Sequence, residues 1–332
     1  MLNYPEVGST FKNKRVLVAG GTGMVGQQLV RLLDKFGAKV RIASKDHYSL
    51  AYPGTEFMYQ DLTVQSACFE VCKDMDYVFN LLCVKGSAAL NKKYPKRFLV
   101  PMLRYNSFLT EAAYESGAGY LLTSTNGVYG LSEIMEEDKM WESVPSDNDK
   151  APGYVKRMAE LELESYAIEH GWKNIAIVRP ANIYGPYDNF DSVNAMVVPS
   201  LIKKAVDNNG TMEVWGDGSQ ERDLIHSKDV ARGMIMVAER MPGQAVNLGS
   251  GQTYSIRELV EVIVGNLENK PEIIWDTSKP SGDAKRFLDT QKARSMGFYR
   301  EISLEKGIKE TMAWYTKNRK NTDKRYDVFD KK

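Results

Sequence analysis

Gly20, Gly23 and Gly26 stand three residues apart in the segment AGGTGMVG. Glycine at this spacing lets a chain turn tightly and brings its backbone close to a pyrophosphate. The apolar, β-branched run RVLVAG lies immediately before, and VGQQLVRLLDKFG, with helical spacing, immediately after. The glycines therefore fall between a buried strand and a helix N-terminus, whose free N–H groups and dipole favour phosphate. The next strand, KVRIAS, ends in Ser44 and is followed by Lys45 and Asp46. An acid at that strand end would bind a ribose 2′-hydroxyl; serine with lysine suits a 2′-phosphate, so NADP is expected, with NAD possible. Asp61, in YQDLT at the end of the third strand, reads either as a contact to the adenine edge or as a helix N-cap.

Other chemistry-bearing residues are scattered. Cys68 and Cys72 share one face of an expected helix, but no second pair or histidine stands nearby to complete a metal site. They read as buried thiols, Cys83 reads as an inert thiol closing a core strand, and no metal is expected. His47, His170 and His226 suggest no triad; His226, after RDLI, is expected to position the loop carrying Arg222.

The elements that must position these residues alternate. DYVFNLLC, AGYLLTST and NIAIVRP read as strands, and PMLRYNSFLTEAAYESG and YVKRMAELELESYAIEHG as helices. Such alternation implies a Rossmann-type, doubly wound parallel α/β sheet. Beyond Pro186 glycine, aspartate and asparagine become frequent and the elements shorten, which points to a smaller C-terminal α/β substrate lobe. VNLGSG again reads as a strand and turn, so the chain is expected to weave back. The division expected is residues 11–185 with about 224–252 as the dinucleotide-binding domain, 186–223 and 253–315 as the substrate lobe, and 316–332 as a solvated charged tail.

Composition narrows the classes. Lys plus Arg is 44 and Asp plus Glu 43 over 332 residues, a net charge of +1 that argues against a nucleic-acid binder. A hydrophobic content of 43% excludes wholesale disorder. No window approaches the ~20 apolar residues of a membrane span, and MLNYPEVGST has no signal-peptide pattern. Three cysteines give no disulfide framework, so a cytoplasmic setting is expected.

The chain resembles the extended short-chain dehydrogenase/reductase family over about residues 14–315, through GGTGMVG, TSTNGVYG, Tyr154 in an expected helix and RPANIYGP. Its second half is most similar to the GDP-fucose synthases, in YGPYDNFD, VWGDGSQERDLIHSKDVA, VNLGSGQTYSIRELVE and WDTSKPSGDAKRFLD. The resemblance implies a tyrosine that exchanges a proton with the sugar, a Ser or Thr that holds the same oxygen, and a lysine one helical turn after the tyrosine. Matched position by position, Thr125 takes the hydroxyl role, Tyr154 the tyrosine role, and Met158 stands where the lysine belongs. Lys156 is about 200° from Tyr154 around a helix and is not expected to replace that lysine; Lys85 is a candidate substitute. The implied cofactor contacts are Gly20, Gly23, Met24, Val25, Gly26, Ser44, Lys45, Asp61, Leu62, Leu81 and Pro180. Asn182, Lys204, Trp215, Arg222 and Arg286 fall on substrate positions, with Arg222 facing the sugar nucleotide's pyrophosphate.

Two departures narrow the reaction. Gly127 and Met196 replace the Cys and His used for 3,5-epimerisation, and Asn126 and Gly127 replace the Asp and Glu used for dehydration. Redox at a sugar hydroxyl, most plausibly C4 of a GDP-linked sugar, survives: keto reduction, alcohol oxidation or 4-epimerisation. The expectation of another class is a non-catalytic nucleotide-sugar binding protein. A homodimer through the two helices ending near Gly117 and starting near Tyr154 is also implied.

Overall fold

The computed structural model describes residues 8–192, 194–240, 243–279, 282–320, 325, 326, 328 and 329. Val16, Leu17, Val18 and Ala19 are completely buried, and their strand, β1 (Arg15–Ala19), is flanked on both edges by other strands. It leads through the glycine turn into α1 (Met24–Lys35), then β2 (Lys39–Ser44), β3 (Glu56–Tyr59), α2 (Gln65–Cys72) and β4 (Tyr77–Asn80). There follow α3 (Ala88–Lys93), α4 (Pro95–Glu115), β5 (Gly119–Thr123), α5 (Lys150–His170) and β6 (Ile175–Pro180). Next come β7 (Asn182–Tyr184), α6 (Val197–Val206), β8 (Thr211–Trp215), β9 (Glu221–Arg222), β10 (Leu224–His226) and α7 (Ser227–Arg240). The chain ends with β11 (Ala245–Leu248), β12 (Tyr254–Ser255), α8 (Ile256–Gly265), β13 (Glu272–Asp276), β14 (Lys285–Arg286), α9 (Gln291–Ser295) and α10 (Leu304–Asn318).

Seven strands form one sheet in the order β11-β6-β5-β4-β1-β2-β3, every pair parallel. This is the doubly wound arrangement the alternation implies. On one face Leu29, Val30 and Leu33 of α1 pack with Val230, Met234 and Val237 of α7. On the other, Val71 of α2, Met102 and Leu109 of α4, and Val155, Ala159 and Leu163 of α5 form a second core. A third cluster joins α6, α8 and α10 over β8, through Leu201, Ile202, Leu259, Ile263, Ile308 and Val214. Beside it, β9 pairs with β12 and with β14.

The structure corrects three expectations. The helix read from Pro101 starts six residues earlier, at Pro95, with Pro101 inside it; apolar burial of Phe98 and Met102 outweighs the one backbone bond that a proline removes. The strand read to Cys83 stops at Asn80, so Cys83 lies exposed in the following loop rather than in the core. The charged tail is not wholly solvated. Residues 316–318 continue α10, and Arg325, Tyr326 and Phe329 pack onto the body of the protein, because the tail carries aromatic rings that composition alone discounts. Residues 321–324, 327 and 330–332 of that tail lie outside the described residues.

Candidate active site

The glycine turn sits at the C-terminal end of β1, the edge at which open parallel sheets bind ligands. Gly20 has φ +84°, a conformation side chains disfavour. A Cβ on Gly26 would strike the Gly20 carbonyl and lie 2.7 Å from Gly21, so glycine is what lets α1 approach the turn. Gly23 caps α1 without any side-chain bond, leaving the amides of Met24, Val25 and Gly26 to face an external acceptor. These features fit a dinucleotide pyrophosphate.

At the end of β2, Thr22 Oγ1 meets Ser44 Oγ at 2.8 Å and donates to Asp46 Oδ2 at 2.7 Å, tying the glycine turn to the second strand. Lys45 Nζ donates to Asp61 Oδ2 at 2.8 Å. Burial opposes the charge of Lys45, but bonds and charge from Asp61 and Tyr326 outweigh it and hold its pKa above the ordinary lysine value. Asp61 does not cap α2, whose N-cap is Val64; it accepts from Thr63 and pairs with Lys45, and its carboxyl is held low despite burial. Leu62 is buried in the second core, while Leu81 and Pro180 end at the same edge of the sheet.

Thr125 caps the short turn Asn126–Val128 after β5, its Oγ1 accepting from Gly127 N at 3.1 Å. Helix α5 is clamped to that turn. Arg157 Nε donates to Val128 O at 2.7 Å, and a Cβ on Gly153 would collide with the Gly127 carbonyl. Ser124 Oγ donates to Glu160, and Glu160 is paired at 2.6 Å with buried Arg179 of β6. Arg179 also donates to Tyr129 Oη, which donates to Asn247 of β11 at 2.7 Å.

The two sides of α5 place the residues named from the sequence differently. Tyr154 and Met158 are 38% and 41% exposed, on the face turned away from the sheet. Lys156 is 1% exposed, and its Nζ donates to Leu82 O at 3.2 Å and to Asn106 Oδ1 at 3.4 Å. Leu82 also lies against Gly20, so Lys156 reaches within one residue of the glycine turn. Burial pulls its pKa down to about 8, against the charges of Cys83 and Glu160. One helical turn before Lys156 stands Pro152. The signal available in the sequence was the inward row Val155, Ala159 and Leu163, which sets the helix phase and places Tyr154 outside. Lys85, the other candidate lysine, pairs with Asp188 at 3.4 Å.

Pairing of β9 with β14 sets Arg222 directly beside Arg286. Burial and the Arg286 charge both lower the pKa of Arg222, so the two guanidinium groups repel. Arg286 is held by Asp149 at 2.7 Å, by Asp283, and by Ser146 Oγ at 2.8 Å. Asp149 lies tight against Gly127, its Cβ and Cγ each 3.1 Å from where a side chain on that glycine would begin. Asn126 Nδ2 donates to Asn182 Oδ1 at 3.2 Å, and Asn182 N donates to Asp223 O. Thr125, Asn182, Arg222 and Arg286 therefore belong to one contiguous polar network. Lys204 and Trp215 form a separate pair, 5.8 Å apart, and the tryptophan is half exposed. Burial raises both α2 thiols, Cys68 to about 12. Among the described residues no cluster of His, Cys, Asp and Glu is placed to hold a metal, and no helix is long and apolar enough to cross a membrane.

The model of the NAD dependent epimerase/dehydratase family matches residues 16–249. The chain belongs to that family. It is 31% identical over 319 residues to GDP-L-fucose synthase 1 of Arabidopsis thaliana, covering 92% of this chain and 94% of that one. Among solved structures it resembles the UDP-glucose 4-epimerase with UDP-glucose from Thermotoga maritima (TM-score 0.82, 23% identity, 92% and 99% covered). It also resembles a GDP-L-fucose synthetase from Naegleria fowleri bound to NADP (TM-score 0.78, 22% identity, 93% and 95% covered).

Proposed function

We propose that the protein transfers hydride between NADP(H) and C4 of a nucleotide sugar, with a GDP-linked sugar favoured. Family membership makes it an NAD(P)-dependent enzyme of the nucleotide-sugar epimerase and reductase type. The observation that carries the finer reading is the continuous network from Thr125 through Asn182 to the Arg222–Arg286 pair, on the sheet edge that bears the glycine turn. The division of labour follows: the sheet with α1 to α5 holds the cofactor, and the third cluster with β9 and β14 holds the sugar nucleotide.

The turn amides and α1 would hold the cofactor pyrophosphate, and Ser44 and Lys45 its adenosine 2′-phosphate. Bound nicotinamide supplies the hydride chemistry. Thr125 holds the reacting sugar oxygen. Lys156, near neutrality in its proton affinity, faces the cofactor side and serves as the proton reservoir, with Pro152 leaving no hydroxyl one turn before it. Arg222 and Arg286 hold the diphosphate, which relieves their mutual repulsion. Likeness to a 4-epimerase fold keeps redox-neutral 4-epimerisation as the second reading. Leu99 and Leu103 of α4 with Tyr154, Met158 and Leu161 of α5 form an exposed apolar row, which supports a homodimer through these helices. A cytoplasmic setting accords with three free thiols.

The test is absorbance at 340 nm with NADPH or NADP against GDP, UDP, CDP and TDP sugars and their 4-keto forms. A sugar-dependent change supports net hydride transfer. Product without absorbance change moves the reading to the epimerase. Binding of a nucleotide sugar with no product from any panel member leaves a binding protein, and failure to bind both ligand classes refutes the proposal.

A further inference from the structure

The tail residues Arg325, Tyr326 and Phe329 touch two places that the sheet sets on either side of the glycine turn. At the end of β2, the Tyr326 amide donates to Asp46 Oδ1 at 2.7 Å, and Lys45 Nζ sits 3.8 Å from the centre of the Tyr326 ring. Arg325 is half-buried, with Asp46, Asp188 and Tyr187 as its electrostatic neighbours. On the other side, Phe329 packs on Phe98 at 5.3 Å and Tyr94 at 6.2 Å, and Arg97 donates to its carbonyl at 3.4 Å. Phe98 lies under Gly86, in the loop that follows β4. In the sheet β1 lies between β4 and β2. Strands two apart are separated by about 10 Å, and the three residue steps from Tyr326 to Phe329 reach about 10 Å. Tyr326 and Phe329 thus stand on opposite sides of the C-terminal end of β1, where the glycine turn lies.

We propose that this C-terminal segment, anchored through Tyr326 on Lys45 and Asp46, is a strap at the adenosine end of the cofactor cleft that competes with the dinucleotide for Lys45. It rests on the cofactor reading above. A 2′-phosphate and the Tyr326 ring need the same ammonium group, so the strap opposes NADP(H) more than NAD(H). Its opening is then part of cofactor entry, and its composition, cationic with aromatic anchors, matches the carboxylate and the rings it meets.

The experiment uses the full chain. Equilibrium binding of NADPH and NADH is measured by fluorescence for wild type, Tyr326→Ala and Phe329→Ala, and hydrogen exchange follows the segment 325–329 with and without NADP. Both variants are expected to bind NADPH about three- to tenfold more tightly, with a smaller change for NADH. Exchange in the segment is expected to speed up when NADP binds, since the Tyr326 amide loses Asp46. Unchanged or weaker NADPH binding in the variants, or slower exchange with NADP, overturns the strap. If neither wild type nor variants bind any nicotinamide dinucleotide, the cofactor reading falls and the strap with it. Binding by the variants alone supports both.

Discussion

The inner and outer faces of α5 differ in what surrounds equally spaced residues. Inside, Gly153, Lys156 and Glu160 are each fixed by a named partner: the Gly127 carbonyl, the Leu82 carbonyl, and Ser124 with Arg179. Outside, Tyr154, Met158 and Leu161 are about two-fifths exposed and form an apolar row. A tyrosine with a residue four positions later satisfies a spacing rule on either face. Only the phase of the helix decides which pair meets the cleft, and the phase is set by what the sheet buries.

The difference predicts how substitutions separate. Lys156→Met is expected to lower turnover on the order of 100-fold or more, since the inner face loses its only titrating amine; steady-state rates at 340 nm measure it, and near wild-type turnover would place the chemistry elsewhere. The same variant is expected to be more stable at pH 7, by on the order of 1–3 kcal/mol, because a buried charge is removed. The sign has a pH signature. The folded pKa of Lys156 is about 8 against 10.5 for a free lysine. Between those values the unfolded chain binds more protons, so wild-type stability rises with pH across that window. Urea unfolding at pH 7 and pH 10 should show the rise in wild type and not in the variant.

On the outer face, Met158→Glu is expected to weaken self-association at least about tenfold, read by sedimentation velocity, with the fold retained. An unchanged association state would remove this face from the proposed dimer contact. The smallest effect is assigned to Tyr154→Phe, whose turnover should stay within about twofold of wild type. A large loss there would erase the distinction between the faces and return the proton transfer to the tyrosine.

What was legible in the sequence was local or periodic. The glycine turn is one contiguous segment whose flanking strand and helix both announce themselves, so Gly20, Gly23 and Gly26 are found where a phosphate loop must be. The doubly wound sheet follows from alternation of elements, because crossover helices leave a parallel sheet as the simplest outcome. The adjacency of Arg222 and Arg286 was not legible as such: it depends on a two-residue pairing between strands more than sixty positions apart. Asp149 next to Gly127 is likewise a contact between a helix cap and a distant turn. Lys156 was set aside because the spacing was counted from Tyr154, whereas the buried row Val155, Ala159 and Leu163 carries the phase. Cys83 was misplaced because apolar residues continue past the last strand bond, and a run of side chains does not report where pairing stops.

The buried line from Ser124 through Glu160, Arg179 and Tyr129 to Asn247 has a consequence in time. Asn247 belongs to β11, the edge strand that pairs with β6, and it emerges more than sixty residues after β6 in the growing chain. Until it arrives, β6 has an open edge and the Tyr129 hydroxyl, which lies just beyond the Thr125 turn, lacks its acceptor. The glycine turn closes on β2, through Ala43, Ser44 and Asp46 within the first fifty residues or so, whereas the Thr125 turn, clamped by α5, gains its last tie at Tyr129 from a residue 118 positions further on. In chain order the contacts of the glycine turn are thus all available well before the last tie of the Thr125 turn.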